Sequence, residues 1–357
     1  MKIGILTFYA ADNYGAIFQA LASKYYLTTL DHEAYVIDHL RKKKFTISFF
    51  LKGLPLLSNI KFCFWQIIKY PFIRSRYKCF SDFVNKYIQP YSENWESYPN
   101  DFNCFYVGSD QIWNPKYTSH YIPFFFCQFS GAKDKKCIAY SASMGINYIP
   151  SNLYSELKKY LKKFSAISVR EESTKALISP LVDIPVKITI DPTFLLSKEQ
   201  WLKLFPGERK SDKYPYVLIF EVRNSELTDK LAKLISSKYN YKIKKISSGI
   251  KFKDYSSYKT TDPADFISTI ANAKFVVTTS FHGTAFSLIC RIPFYSISTN
   301  PNDNRIKDLL KSCGAGYRLV DKIPTDINDQ LDWNNITQKL NTYIKASQNY
   351  IRRSLQD

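Results

Sequence analysis

Between Leu40 and Ser81 the sequence contains no Asp or Glu. That gap holds ten Lys/Arg and ten aromatic residues, among them Arg41-Lys42-Lys43-Lys44, Phe49-Phe50 and Phe62-Cys63-Phe64-Trp65. Other absences exclude whole classes. No run of about 18 uninterrupted apolar residues occurs, so no spanning helix is expected. The seven cysteines, at 63, 79, 104, 127, 137, 290 and 313, form no Cys-x-x-Cys pair. A zinc knuckle and a thioredoxin-like motif are therefore absent, no metal cluster is visible, and the scattered spacing suits reduced thiols. No signal-peptide pattern precedes the strand that starts at Lys2, which makes a cytoplasmic location the expectation. No Gly-x-Gly-x-x-Gly fingerprint, internal repeat or nucleic-acid-binding motif is present.

What is present is a folded chain of 357 residues, 45% hydrophobic and 23% charged. Single cores stop growing near about 250–300 residues, so two domains are expected. Lys plus Arg number 50 against 31 Asp plus Glu, a net charge of +19, which favours anionic partners. Because the basic excess concentrates in residues 40–81, away from the polar loops described below, no nucleic-acid partner is expected. Cations mixed with Phe, Trp and Leu suit a helix on an anionic membrane surface; an ordinary amphipathic helical pair is the alternative.

Strand and helix signals alternate. Lys2 to Thr7, Tyr35 to Asp38, Phe105 to Gly108, Cys137 to Ser143 and Ala166 to Val169 read as buried strands. Helical stretches lie between them, notably 16–30 and 151–163. A second set follows Ser197: strands at Tyr216–Phe220, Lys242–Ile246 and Phe275–Thr278, with helices from Ser225, from Asp262-Pro263 and from Gly283. Strand, helix, strand order implies right-handed βαβ units and parallel sheets. The expected fold is α/β, two doubly wound Rossmann-like domains facing a cleft. The N-terminal one covers 1–196 with the basic-aromatic insertion 40–81. The C-terminal one covers 197–357, with a last helix from Trp333 packing back. In open parallel sheets ligands bind beyond the carboxyl ends of the strands. The polar loops 12–15, 109–114, 170–171, 191–193 and 279–284 all sit at such ends.

These loops also carry a resemblance. Gly4-Ile5-Leu6-Thr7 through Asn13-Tyr14-Gly15-Ala16 with Gln19-Ala20 comes first, then Val107 through Asn114 and Ser168-Val169-Arg170-Glu171. Asp191-Pro192-Thr193 and Ser280-Phe281-His282-Gly283-Thr284 complete the set. In this order, over residues 3–295, they resemble the polysaccharide pyruvyl transferase family. The resemblance implies a fold like that of B-type glycosyltransferases. It implies transfer of a pyruvyl group from phosphoenolpyruvate onto sugar hydroxyls, commonly as a cyclic ketal. Acceptors would be saccharides of exopolysaccharides, capsules or cell walls, often carried on a polyprenyl lipid. Many members place Arg two residues before the His; here Ser280 stands there, so another cation must serve.

Such a reaction has defined needs. The methylene carbon of the donor is protonated, a sugar hydroxyl attacks the adjacent carbon, and phosphate leaves. His282, one of only four histidines, is the proton donor or the phosphate anchor. Arg170 suits the donor's carboxylate or phosphate, unless it only pairs with Glu171 or Glu172. Arg223 is the substitute for the missing cation, ahead of Arg291 and Arg305. Ser280 and the backbone of Gly283 and Thr284 at a helix start complete the donor side. Asp110 is the acceptor-side base or an Asx-turn residue. Asn13 and Gln111 suit hydroxyl recognition, and Tyr14 and Trp113 offer faces for sugar rings or belong to the core. Asp191-Pro192-Thr193 reads as a hinge. No cofactor is required beyond phosphoenolpyruvate as co-substrate.

Two other readings compete. A nucleotide-sugar glycosyltransferase would need a larger donor pocket with an acidic residue for the ribose hydroxyls. A non-enzymatic basic module would bind an anionic membrane or nucleic acid through charge alone.

Overall fold

The computed structural model describes residues 1–10, 12–38, 60–91, 102–117, 122–206, 214–247, 261–299 and 304–356, with side chains from residue 70 onward in the helix starting at Ile60. Two parallel sheets form the scaffold. The first contains β1 (Lys2–Leu6), β2 (Glu33–Val36), β3 (Cys104–Val107), β4 (Lys136–Ala142), β5 (Ala166–Val169) and β6 (Val186–Ile188), in the order β2-β1-β3-β4-β5-β6. The second contains β7 (Tyr216–Glu221), β8 (Lys242–Ser247), β9 (Phe275–Thr278), β10 (Phe294–Ile297) and β11 (Leu319–Val320), in the order β11-β10-β9-β7-β8. This is the doubly wound α/β class expected, with two Rossmann-like halves facing a cleft.

The central strands are short and almost wholly apolar because helices cover both faces of each sheet, whereas the edge strand β8 carries Lys242, Lys244 and Lys245. β3, β7, β9 and β10 are buried along their whole length. The helices are α1 (Tyr14–Thr28), α2 (Ile60–Phe83), α3 (Tyr154–Leu161), α4 (Glu172–Ile178), α5 (Lys198–Leu204) and α6 (Glu226–Tyr239). The C-terminal half adds α7 (Pro263–Asn272), α8 (Phe281–Cys290), α9 (Asn304–Ser312) and α10 (Trp333–Gln356). Several starts are set by caps legible in the chain. Asn13 accepts from the Gly15 amide, Asp262 precedes Pro263 and accepts from Ala264, and Ser197 with Gln200 closes a capping box.

An aromatic seam joins the halves. Phe18 of α1 packs on Trp201, Phe266 and Phe286 with ring centroids 5.6, 5.6 and 5.4 Å away. α10 returns from the second half to the first sheet: Ile190 N donates to Ser347 Oγ at 2.9 Å, and the Tyr350 hydroxyl donates to Ala139 O at 2.9 Å.

Arg41 to Lys44 and Phe49-Phe50 lie outside the described residues. The C-terminal part of the basic-aromatic segment packs onto the protein. Arg76 Nη2 donates to Asp12 O at 2.7 Å, its guanidinium lies 4.7 Å from the Phe80 ring, and Phe80 and Phe83 are buried. Among the described residues no helix is long and apolar enough to cross a membrane.

In each sheet the strand order reverses once beside the first strand, between β1 and β3 and between β7 and β9. These are the positions where open parallel sheets part their connecting loops and leave a crevice. The two crevices face one another.

Candidate active site

A cavity of about 550 Å³ opens between the two sets of carboxyl-end loops. Its first wall carries Asn13, Asp110, Gln111, Asn114 and Glu171; its second carries Arg223, Thr279, Ser280, His282 and Arg305. Hydrogen bonds lock the first wall. Gln19 Nε2 donates to Thr7 Oγ1 at 2.8 Å and to Phe8 O at 2.9 Å, while its Oε1 accepts from Ser109 N at 3.0 Å. The loops after β1 and β3 are thereby one unit. Thr279 does the same on the second wall: its Oγ1 accepts from Val222 N (3.1 Å) and Arg223 N (3.2 Å) and donates to Arg223 O (3.0 Å).

Beside this cavity, Asp191, 1% exposed, lines a second cavity of about 400 Å³ with Arg170, Phe281 and Arg305, the last two shared with the first cavity. Its Oδ1 accepts from Thr193 N at 3.0 Å and from the Thr193 hydroxyl at 2.8 Å. Its Oδ2 meets Arg170 Nη1 at 2.7 Å, accepts from Ser109 Oγ at 3.4 Å and faces His282 Nε2 at 3.7 Å. Burial alone would push this carboxyl up. The His282 ring, the Arg170 charge and the Thr193 amide outweigh it and hold the carboxyl well below the usual range. The residue read as a hinge from Asp-Pro-Thr caps a short 3-10 turn, and it also ties Arg170 to His282.

Arg170 sits among three carboxylates. Nη1 holds Asp191, Nη2 lies 3.6 Å from Asp110 Oδ1, and Nε lies 3.8 Å from Glu171 Oε2. Its face packs on the Phe281 ring, 4.6 Å from the centroid. Nε and Nη2 are buried without a hydrogen-bond partner, as is His282 Nε2. Buried donors are seldom left so, and such a cluster beside a cleft is a mark of a binding site. Among the described residues no group of His, Cys, Asp and Glu is arranged to hold a metal.

His282 occupies the first turn of α8. Ser280 caps that helix, its Oγ accepting from Gly283 N at 3.3 Å. Gly283 has no side chain because a Cβ there would meet Thr278 Oγ1 at 2.2 Å. Gly15, across the cleft in α1, is constrained by the histidine itself: a Cβ would lie 2.0 Å from His282 Nδ1. The imidazole is thus set between Asp191 on one side and the bare backbone of α1 on the other.

Asp110 lines the cleft with its side chain 15% exposed. Its backbone is left-handed, φ 71°, and its Oδ1 accepts from Gln111 N at 2.8 Å. Local turn and cleft carboxylate are therefore the same residue. Gln111 lies beside it, its Oε1 accepting from Asn114 Nδ2 at 2.6 Å. Asn13 lines the cleft while its Oδ1 caps α1.

Four expectations are corrected. Trp113 is fully buried, donates to Phe125 O at 3.0 Å and stacks on Phe126, so it has no face for a sugar. Tyr14 is 1% exposed, stacks on Phe266 and donates to Thr261 O at 2.6 Å; it belongs to the aromatic seam. Thr284 is 0% exposed and hydrogen-bonded to Ser280 O and Ser296 Oγ. The Gly283 amide is taken by the Ser280 cap and Thr284 N by Ser280 O, so neither is left for a phosphate. Glu171, read only as an ion-pair partner, and Asp191 are the cleft residues that sequence reasoning missed. The available signal was a charge set within or beside an apolar run, as in Ile190-Asp191 ahead of Phe194-Leu195.

Comparison with protein families places residues 13–301 in a match to the family described as Polysaccharide pyruvyl transferase. No curated protein matches the chain. Among solved structures, E. coli heptosyltransferase WaaC with ADP-2-deoxy-2-fluoro heptose aligns over 96% of this chain and 99% of that chain, at 11% identity and a TM-score of 0.37.

Proposed function

The chain belongs to the polysaccharide pyruvyl transferase family, and from that premise we propose that it moves a pyruvyl group from phosphoenolpyruvate onto sugar hydroxyls as a ketal. The acceptor in this proposal is a polysaccharide or a polyprenyl-diphosphate-linked precursor, and neither metal nor further cofactor is used. The observation that carries the reading is the Asp191 hub, which holds Arg170 at 2.7 Å and faces the cleft-lining His282 at 3.7 Å.

Each step has a residue suited to it. His282 lines the cleft with Nε2 turned to Asp191 and Nδ1 packed against the bare backbone at Gly15. An imidazolium stabilised by Asp191 can protonate the methylene carbon of phosphoenolpyruvate. Positive character then develops on the adjacent carbon, and the neighbouring carboxylates favour it. A sugar hydroxyl attacks that carbon and gives its proton to Asp110. Phosphate departs with its bonding pair as a second hydroxyl closes the ring. Arg170 offsets the carboxylate charge that would otherwise repel an anionic donor, its Nε and Nη2 facing the cleft-lining Glu171 and Asp110. Arg223 and Arg305, from the second wall, suit the phosphate, while Ser280 is a small cap that leaves them space. Asn13 and Gln111 are suited to acceptor hydroxyls. We further propose that residues 40–81 bring the chain to an anionic membrane surface on the cytoplasmic side.

The test is product formation. The protein is incubated with phosphoenolpyruvate and a glycan panel, and phosphate release is followed with the mass gain of one pyruvyl group on the glycan. Donor-dependent product supports the reading. No such product across the panel, with UDP-sugars active instead, would sink it.

A further inference from the structure

Ring closure needs a second deprotonation, and the cleft holds a second carboxylate. Glu171 is 1% exposed yet lines the cavity. Its Oε1 is occupied, accepting from Ser143 Oγ at 2.6 Å and from Thr174 Oγ1 at 2.5 Å. Its Oε2 is buried with no hydrogen-bond partner. This oxygen faces Arg170 Nε at 3.8 Å, and although Glu171 stands at the N-cap of α4, its side chain makes no capping bond. Nε and Nη2 form one edge of the rigid guanidinium fork of Arg170, and Glu171 and Asp110 flank that edge at 3.8 and 3.6 Å. Two carboxylates therefore converge on one place in the cleft, held there by one cation.

We propose that Glu171 is the catalytic base for ring closure, taking the proton of the second sugar hydroxyl after Asp110 has taken that of the first. The inference rests on the reading of the cleft as a pyruvyl-transfer site. After the first addition, one carbon bears the methyl, the carboxylate, the sugar oxygen and the phosphate ester. The second hydroxyl oxygen bonds to that carbon while the carbon–oxygen bond to phosphate breaks. The electron pair of that bond leaves with phosphate. The hydroxyl proton goes to Glu171 Oε2 and on to the departing phosphate, so the carboxylate is restored. Without this base, water takes the place of the second hydroxyl. The resulting hemiketal collapses to the sugar hydroxyl and free pyruvate, still with one phosphate released.

The reading predicts a change of partition. Wild-type, Glu171→Gln, Glu171→Asp and Asp110→Asn chains are given phosphoenolpyruvate and an acceptor that the wild type pyruvylates. Phosphate, free pyruvate and glycan-bound pyruvate are counted, and folding is checked by circular dichroism. In Glu171→Gln, phosphate release persists and the ratio of free to glycan-bound pyruvate rises at least tenfold. Glu171→Asp, shorter by one methylene but still charged, gives an intermediate ratio. Asp110→Asn lowers phosphate release without that shift. A wild-type ratio in a Glu171 variant, at any rate, overturns the proposal. So does a folded Glu171→Gln chain that neither releases phosphate nor accumulates the phosphate-bearing glycan adduct, because the first addition does not need Glu171. Where Glu171→Gln does not fold, the ratio in Glu171→Asp decides. A wild type that releases no phosphate from phosphoenolpyruvate with any acceptor overturns the reading of the cleft instead.

Discussion

Replacing Asp191 by Asn removes one charge and keeps the shape. Oδ1 accepts twice from Thr193 and Oδ2 accepts from Arg170 Nη1 at 2.7 Å. An amide has one oxygen for these two sets of donors, so its NH₂ must face either Arg170 or Thr193. Breaking a buried ion pair costs on the order of 3–5 kcal/mol. Asp110 and Glu171 remain near Arg170 at 3.6 and 3.8 Å and offset part of that, which favours the lower end, about 3 kcal/mol. At about 2 °C per kcal/mol for a large domain, the midpoint falls by roughly 6 °C. The pH dependence follows from the direction of the shift. A carboxyl depressed in the folded state contributes stability that is complete above its unfolded value, near ~3.9, and is lost as pH falls through the folded value. The gap between wild type and Asp191→Asn is therefore full from about pH 5 upward and closes on acidification below about pH 4. Urea unfolding of both proteins across this range measures it. A gap under about 0.5 kcal/mol at pH 7, as for ordinary surface changes, or one that widens toward acid, would refute the reasoning.

Further outcomes are expected. Gly15→Ala drives a Cβ to 2.0 Å from His282 Nδ1; turnover falls on the order of 100-fold while stability drops only about 1–3 kcal/mol, measured as rate and urea midpoint on the same preparation. Trp113→Ala loses about 3–5 kcal/mol of stability, because the ring is core, whereas Gln111→Ala raises the acceptor KM with little change in midpoint. Neutralising Arg41 to Lys44 weakens flotation with anionic liposomes, by about 1 kcal/mol per charge removed; binding unchanged by the substitution counts against membrane attachment through this segment.

The fold was legible because its signals are local. Apolar strand runs, Asp262-Pro263 at a helix start and the polar loops after the strands can each be read in a few residues. The loops that meet at the cleft, 109–114, 170–171 and 279–284, were legible for the same reason, since strand ends in parallel sheets share one edge. What stayed hidden depends on distant partners. Trp113 is core because Phe125 and Phe126 close over it, and Tyr14 is core because Phe220 and Phe266 of the other half face it. Nothing in either neighbourhood of sequence shows that. Asp191 is a hub only once the loop after β3, the end of β5 and the start of α8 converge, and an Asp-Pro turn by itself reads as punctuation. Ser280 is clear in hindsight: Ser three residues before Gly283 at a helix start is a cap.

The central claim is that the Asp191–Arg170–His282 cluster is the reacting centre for phosphoenolpyruvate. The most direct measurement is acceptor-dependent phosphate release from phosphoenolpyruvate by wild type, His282→Ala and Arg170→Gln, each verified as folded. The account predicts release by wild type, at least 100-fold slower release by His282→Ala, corresponding to about 2.7 kcal/mol of lost transition-state stabilisation, and a raised donor KM for Arg170→Gln. Wild-type rates in His282→Ala would contradict it.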